Sequence, residues 1–325
     1  MTLPIASPDA LAALGASLLA RDYRFITVTP ATHKRVNRRP ENAWARDLRG
    51  ALGWSRPFGD GVLPADIERL LDEAGLIEPC PKLGEAPGGG QARRALVRAS
   101  TIGDHLYFHS AWPTSDDDSV FFGPDTYRYA AALKRSLASP MMHRPVRRAV
   151  DIGCGAGPGA IELALQCPDA TVYGADINDD ALALAGINAR INGAARLAPC
   201  RSNLLDGVDG GFDVVMSNPP YILDQAELPY RHGGGEHGAQ ISIDIVRTGL
   251  ERLHPGGSLM LYTGVAIVDG ADRFLDAIRA QLERDCQAWS YEELDPDIFG
   301  GQLGCEGYEN VERIAAVWLH AVKRG

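Results

Sequence analysis

The chain has 325 residues, of which 45% are hydrophobic and 23% are charged, and its formal net charge is -10. This length predicts two domains, and the hydrophobic content is ordinary for a globular protein with a substantial core. No apolar run reaches the roughly 18 residues of a membrane span, and residues 1–20 lack the lysine or arginine of a signal peptide. The six cysteines have neither metal-ligand spacing nor the density of a disulfide scaffold. We therefore expect a cytoplasmic protein with reduced thiols and no contact with a membrane.

Residues 1–115 are predicted to form a small α+β domain with an accessory or substrate-recognition role. Helix-start signals and apolar spacing predict three helices, and a Gly-Asp turn between two apolar runs predicts a hairpin. The helices are expected to begin at Ser7, Glu41 and Pro64, and the hairpin to occupy residues 95–109. Three helices followed by a hairpin resemble a winged-helix module, which binds nucleic acid in some proteins and protein partners in others.

Positive charge is concentrated in one part of this domain. Residues 21–56 contain nine basic residues and three acidic ones, although the chain as a whole is acidic. Such a segment could contact the phosphates of RNA or the ribosome. It could equally be a solvated face that contributes only to solubility.

Residues 116–325 are predicted to form a second domain of the α/β class. Its first residues, Asp116–Asp118, are three acids in a loop, and His105 and His109 lie four apart on a predicted strand. A strand separates such histidines by about 13 Å, too far to share an ion. No metal site is predicted.

A glycine-rich turn follows the apolar strand that ends at Asp151. The residues Gly153, Cys154, Gly155 and Gly157 lead into a helix, so that backbone and helix N–H groups can approach a ligand closely. Cys154 is interpreted as a small filler in this turn. The next predicted strand, 171–176, ends in Asp176, and that carboxylate can accept both hydroxyls of a ribose. The pattern indicates a nucleotide-type cofactor.

Asn218-Pro219-Pro220-Tyr221 is the most informative segment of the chain. It follows the apolar run 212–216, and two prolines cannot continue a strand, so the chain must leave the sheet at Asn218. Ligands bind at this edge of open α/β sheets. The Asn218 side-chain oxygen and the Pro219 carbonyl can accept both hydrogens of an NH2 group, and Tyr221 can stack on a flat base or amide.

These segments together resemble the class I methyltransferases that use S-adenosylmethionine, in particular those that methylate amino or amide nitrogens. They are most similar to release-factor glutamine N5-methyltransferases and small-domain rRNA methyltransferases, over residues 119–265. The resemblance implies a Rossmann-like seven-stranded sheet with helices on both faces and an antiparallel last strand. It also implies that residues 120–126 close over the methionine part of the cofactor. Asn203, where the family usually has an aspartate, follows the third strand.

The predicted site residues follow from this resemblance and from the pattern. The catalytic residues are predicted to be Asn218, Pro219, Pro220 and Tyr221. The residues predicted to bind S-adenosylmethionine, and its product S-adenosylhomocysteine, are Phe122, Pro124, Thr126, Asp151, Gly153, Cys154, Gly155, Gly157, Asp176, Ile177, Asn203, Leu204 and Asn218.

The methyl acceptor and two other functional classes remain open. The glycine-acid loop at 233–238 and Tyr221 favour a glutamine of a release-factor-like protein, whereas the basic segment and the predicted wing favour structured RNA. A small amine also fits. A cofactor-binding assembly factor with little catalysis would have no use for the Asn-Pro-Pro-Tyr geometry. A nicotinamide-dependent oxidoreductase is the other alternative, because Gly155-x-Gly157-x-x-Ala160 fits a loose dinucleotide fingerprint.

Overall fold

The structure, a computed structural model, describes residues 2–142, 144–224 and 228–325 of the chain. Within these residues, the N-terminal part contains short helices and two small antiparallel strand pairs. The elements are α1 (Pro8–Ala20), α2 (Pro30–Asn37), α3 (Leu48–Leu52), α4 (Ala65–Glu73), β1 (Ile77–Pro79), β2 (Arg93–Ala95), β3 (Val97–Ile102) and β4 (His105–Ser110).

The predicted first helix and the hairpin are confirmed, but the predicted helix from Glu41 to Leu52 is wrong. Ser7 caps α1 by accepting a hydrogen bond from the Ala10 N–H. In the second region, the Asp47 side chain accepts from the Gly50 N–H at 2.7 Å, so a new helix begins only at Leu48. Helix α2 was not predicted, although Thr29 before Pro30 marks its start.

The rest of the chain alternates between helices and strands of one large sheet. The elements are α5 (Pro124–Leu137), β5 (Arg148–Ile152), α6 (Pro158–Gln166), β6 (Thr171–Asp176), α7 (Asp179–Ile191), β7 (Leu197–Arg201), β8 (Phe212–Ser217), α8 (Gln240–Arg252), β9 (Leu253–Val268), β10 (Ala271–Asp272), α9 (Arg273–Asp285), β11 (Cys286–Asp295) and β12 (Arg313–Lys323).

The strand order across the sheet is β7-β6-β5-β8-β9-β12-β11, and β10 pairs with β9 beside this path. Strands β5 to β9 run parallel, while β12 is antiparallel to both of its neighbours. The predicted α/β fold with an antiparallel final strand is thus confirmed. The chain moves outward from β5 to β7 and then returns to β8 on the other side of β5. This reversal opens a crevice at the carboxyl ends of β5 and β8, where ligands of such folds bind.

The apolar core lies on both faces of the sheet. On one face it is continuous with the N-terminal part, because Leu14 of α1 and Leu106 of β4 belong to the same buried cluster as Leu184 of α7. The boundary between residues 1–115 and 116–325 remains a prediction. Among the described residues, no helix is both long enough and apolar enough to cross a membrane.

Candidate active site

A cavity of about 950 Å³ lies at the carboxyl edge of β5, β6 and β8. Its volume is at the upper end of the range for small-molecule sites. The structure brings most of the predicted site residues to its walls: Pro124, Thr126, Asp151, Gly153, Cys154, Gly155, Asp176, Ile177, Asn203, Leu204, Asn218, Pro219, Pro220 and Tyr221.

The glycine turn after β5 faces open space in this cavity. Gly153 and Gly155 have φ angles of 68° and 53°, and a Cβ atom added at either would meet no other atom within 4 Å. The turn is held against β6, since the N–H groups of Gly153 and Cys154 donate to the Ala175 carbonyl at 2.8 and 3.1 Å. The backbone at the two glycines can therefore approach a ligand that a side chain would displace.

Asp176, at the end of β6, links this turn to the next element. Its two carboxylate oxygens accept hydrogen bonds from the Gly155 N–H at 2.9 Å and the Asn178 N–H at 3.0 Å. Burial raises the pKa of Asp176 above its ordinary value. Each oxygen retains a further acceptor site, and the adjacent Ile177 offers an apolar side chain that is 50% exposed at the cavity wall.

Asp151 is almost wholly buried beneath the turn. It accepts a hydrogen bond from the Tyr129 hydroxyl at 2.9 Å and another from the Ala160 N–H at 2.9 Å, near the start of α6. Burial raises its pKa to about 7. Tyr129, on α5, lines the same cavity and was missed by the sequence analysis, because nothing in its local pattern distinguishes it from a core tyrosine.

Asn218 leaves the sheet beside the glycine turn. The preceding residue, Ser217, donates a hydrogen bond to the Ile152 carbonyl at 2.6 Å and thereby ties the ends of β8 and β5 together. Asn218 itself is partly exposed on the cavity wall. Its carboxamide has no hydrogen-bond partner within the part of the chain that the structure describes. Both polar atoms of this side chain are available to a ligand.

Tyr221, which the sequence predicts to stack on a flat base or amide, is largely buried. Its ring is 7% exposed and packs edge-on against Tyr262 and Phe299, with centroid distances of 6.3 and 5.9 Å. A Cβ at Gly264 would lie 2.4 Å from this ring, so the ring occupies the space over that glycine. Little of the side chain is exposed to the cavity, and stacking of Tyr221 on an acceptor stays a prediction.

Of the predicted cofactor residues, Phe122 and Gly157 lie outside the cavity wall and Cys154 is buried within it. Phe122 is fully buried and stacks on His109 at 4.8 Å, so the neighbouring Phe121 lines the cavity in its place. Gly157 precedes the first turn of α6, packed near Ala185, and is not part of the wall. Cys154 lines the cavity but is buried, and burial raises the pKa of its thiol well above the ordinary value. A thiol that stays neutral agrees with the interpretation of Cys154 as a small filler of the turn.

A polar network on α5 was also missed. Asp125 accepts hydrogen bonds from the Tyr262 hydroxyl at 2.7 Å and from Arg128 at 3.1 Å, and Arg128 also donates to Asp295 at 2.7 Å. The network joins α5, β9 and β11, and its members Asp125 and Arg128 line the cavity. Asp125 and Tyr262 are 137 residues apart in the sequence, so no local pattern could predict their contact.

Two further parts of the cavity wall come from segments outside β5–β8 and their loops. Thr29–Ala31 and Trp112 contribute from the N-terminal part, and Ile298–Gln302 contribute from the loop between β11 and β12. The Ile298 N–H donates to the Ile314 carbonyl at 2.7 Å, which fixes that loop to β12. In the described part of the chain, no three His, Cys, Asp or Glu residues are placed to hold a metal ion.

Residues 133–267, which include β5 to β8 and most of β9, match the family model of the methyltransferase small domain. A release factor glutamine methyltransferase of Agrobacterium fabrum is 34% identical over 119 residues, which cover 36% of this chain and 41% of the relative. A ribosomal protein uL3 glutamine methyltransferase of Neisseria meningitidis serogroup A is 33% identical over 130 residues, covering 37% and 43%.

Among solved structures, the M. jannaschii tRNA m1G37 methyltransferase is similar with a TM-score of 0.47 and 16% identity, covering 71% of this chain and 57% of that one. The two curated relatives, by comparison, are each matched over less than half of their own length. The family model and these relatives confirm the predicted resemblance to methyltransferases that use S-adenosylmethionine.

Proposed function

We propose that the protein is an S-adenosylmethionine-dependent N-methyltransferase that acts on the side-chain amide of a protein glutamine. The observation that carries the proposal is the unpartnered Asn218 carboxamide, which shares one cavity with the glycine turn and Asp176. The names of the two curated relatives, which are glutamine methyltransferases for a release factor and for a ribosomal protein, support this acceptor. A cytoplasmic partner in translation is part of the proposal.

The chemistry of the walls fits this cofactor. The open faces of Gly153 and Gly155 leave room for the methionine part, and the remaining acceptor sites of Asp176 suit the two ribose hydroxyls. Ile177 and Leu204 offer apolar surface to the adenine, and Asn203 offers it a polar group. We assign these residues to the cofactor on that basis.

When bound, S-adenosylmethionine supplies an activated methyl group, which passes from sulfur to the target nitrogen and leaves S-adenosylhomocysteine. The Asn218 side-chain oxygen and the Pro219 carbonyl accept the two hydrogens of the target NH2 group and so orient its lone pair. Pro220 restricts the geometry of the peptide that carries the second acceptor. The displaced proton leaves to water after transfer, and no residue is assigned as a general base.

The test separates cofactor binding from transfer. In Asn218→Ala, calorimetry is expected to show S-adenosylmethionine binding within about threefold of wild type, while labelled-methyl transfer to purified release factor or uL3 falls by roughly 100-fold or more. In Asp176→Ala, cofactor binding itself is expected to weaken by at least about tenfold. Asp179→Ala is the charge-matched control, because Asp179 is exposed, pairs with Arg201 and lies outside the cavity.

Near-normal turnover in Asn218→Ala would contradict the proposed role of that carboxamide. Binding of NADH with no binding of S-adenosylmethionine would favour the oxidoreductase alternative. Cofactor binding without transfer to protein or RNA would favour an assembly factor.

An exocyclic amine of an RNA base is the second candidate acceptor. The observation that favours it is the group of exposed basic residues on α2 and the segment after it, next to the N-terminal wall of the cavity. Labelled-methyl transfer to ribosomal RNA, in parallel with the protein substrates, distinguishes the two candidates. In either case we assign substrate recognition to residues 1–115, since Thr29–Ala31 and Trp112 form part of the cavity wall.

A further inference from the structure

Exposed positive charge is concentrated in one segment of the N-terminal part, whose acids between Lys34 and Arg49 are Glu41 and Asp47. The basic face consists of six exposed side chains on α2 and on the segment from α2 into α3: Lys34, Arg35, Arg38, Arg39, Arg46 and Arg49. Within the described residues, none of the six forms an ion pair with a carboxylate, although the chain has a net charge of -10. The surplus acids are therefore placed elsewhere.

Surface arginines in other parts of the molecule are mostly paired. Arg201 contacts Asp179 at 2.6 Å, Arg190 contacts Asp9 at 2.7 Å, and Arg313 contacts Glu293 at 3.0 Å. By contrast, Lys34 of α2 and Arg38, the C-cap residue of that helix, are four residues apart and carry like charges. Like charges at this spacing repel by a few tenths of a kcal/mol, and the C-terminal end of the helix offsets only part of this cost. If these residues only kept the surface hydrated, their positive charges could be spread over the molecule and would repel one another less.

The basic face adjoins the active-site cavity. Thr29, Pro30 and Ala31, at the start of α2, line the cavity, and the basic residues follow from the second turn of the same helix. An eight-residue helix is about 12 Å long. A chain of phosphates bound along the basic face would therefore reach the mouth of the cavity.

Aromatic rings lie between the cavity and the basic face. Trp112 lines the cavity and packs on His33 of α2 at 4.9 Å, and Trp54 packs on the same histidine at 5.2 Å. The Arg56 guanidinium lies over the Trp54 ring at 5.3 Å. Arginines beside partly exposed tryptophans are the combination with which proteins bind single-stranded nucleic acid, since phosphates pair with the cations and bases stack on the rings.

We propose that the basic face binds the phosphate backbone of RNA and that Trp112 receives a base at the rim of the cavity. The enzyme would thereby meet its acceptor as part of an RNA or of an RNA-bound protein. Five of the six cations are arginines, whose planar fork matches phosphate oxygens in pairs. This inference does not depend on the proposed methyl transfer, because RNA binding requires no cofactor.

The test is fluorescence anisotropy of the full chain with a labelled RNA hairpin that carries a single-stranded tail, over a series of salt concentrations. The triple variant R35A/R38A/R39A is expected to bind roughly tenfold or more weakly at low salt, and its salt slope is expected to fall by about two. The control R69A/R273A/R284A removes the same charge from exposed sites outside the cavity wall and is expected to match wild type. Trp112→Ala is expected to weaken binding without changing the slope, because it removes stacking and no charge.

Two results would overturn the proposal: no RNA binding by wild type, whether or not it binds polyglutamate or anionic vesicles, or equal weakening in both triple variants. The charge-conserving variant R35K/R38K/R39K guards against misfolding, since it must keep the salt slope if charge is the cause. Loss of methyl transfer in Asn218→Ala tests the proposed function, whereas loss of RNA binding in the triple variant tests this inference.

Discussion

Asp151 holds the base of the cofactor turn through two hydrogen bonds. One comes from the Tyr129 hydroxyl on α5 and the other from the Ala160 N–H near the start of α6. The carboxyl is 1% exposed, and burial raises its pKa to about 7 from an ordinary value of 3.8. An acid with a raised pKa in the folded state binds more protons there than in the unfolded chain.

We expect Asp151→Asn to change the pH dependence of stability. Asp151 contributes most to the free energy of unfolding below its unfolded pKa of about 4, and that contribution is lost as the pH rises to about 7. The stability of wild type relative to the variant should therefore fall between these pH values, by at most about 4 kcal/mol. The asparagine can keep both contacts, because its oxygen can accept from Ala160 and its NH2 group can donate to Tyr129.

Urea unfolding of both proteins between about pH 5 and pH 8 measures this difference. Parallel stability curves would mean that the Asp151 carboxyl titrates alike in the folded and unfolded states.

Some site residues could be predicted because their position depends on the chain next to them. Asp176 and Asn218 each follow an apolar strand directly, so the strand end alone places them at the ligand edge. The choice between Phe121 and Phe122 depends on which of two adjacent rings fits beside His109, and the sequence carries no signal for it. The depth of Tyr221 depends on Gly264 and Phe299, which come from distant parts of the chain.

At the scale of elements, Asn188 of α7 and Asn192, the C-cap residue of that helix, bind the edge of β4 as a neighbouring strand would. The Asn188 side chain accepts from the Phe108 N–H at 2.8 Å and donates to the Phe108 carbonyl at 3.0 Å, and Asn192 makes the same pair of contacts with Leu106. Asn188 also donates to the Ala156 carbonyl at 2.9 Å, within the glycine turn. The N-terminal hairpin and the cofactor turn thus share one buried side chain.

Asn188→Leu is expected to reduce the free energy of unfolding by about 2–4 kcal/mol, because it leaves the N–H and carbonyl of Phe108 and the carbonyl of Ala156 without partners. Asn192→Leu is the matched comparison on the same helix. It is expected to cost less, because Asn192 is partly exposed and water can replace its contacts. Urea unfolding measures both values, and equal costs would contradict the argument from burial.

The elements that the sequence predicted well are those whose signals are local. Ser7 before Pro8 marks α1, and a Gly-Asp turn marks the hairpin of β3 and β4. The region from Glu41 to Leu52 has helical composition, but Ala45 donates its N–H to the Pro57 carbonyl and Asp47 restarts the helix. Such long-range backbone contacts override local propensity.

At the scale of the whole molecule, the predicted boundary near residue 115 crosses a continuous apolar core. Leu11 and Leu14 of α1, Leu106 of β4 and Ile187 of α7 lie in one buried cluster. Separation of the two parts would expose these side chains, at about 25 cal/mol for each Å² of apolar surface. The N-terminal part also completes the cavity through Trp112.

We therefore expect residues 1–115 and 116–325 to unfold together, in one transition. Tryptophans 44, 54 and 112 lie in the first part and tryptophans 289 and 318 in the second, so the variant W289F/W318F restricts tryptophan fluorescence to the N-terminal part. In urea, its fluorescence and its far-ultraviolet circular dichroism, which reports on all helices and strands, should change with the same midpoint and slope. A fluorescence transition at lower urea would mean that the N-terminal part unfolds first and that the shared cluster contributes little to its stability. Coincident transitions would mean that substrate recognition and cofactor binding are built on one cooperative unit, so that a substitution in either part weakens both.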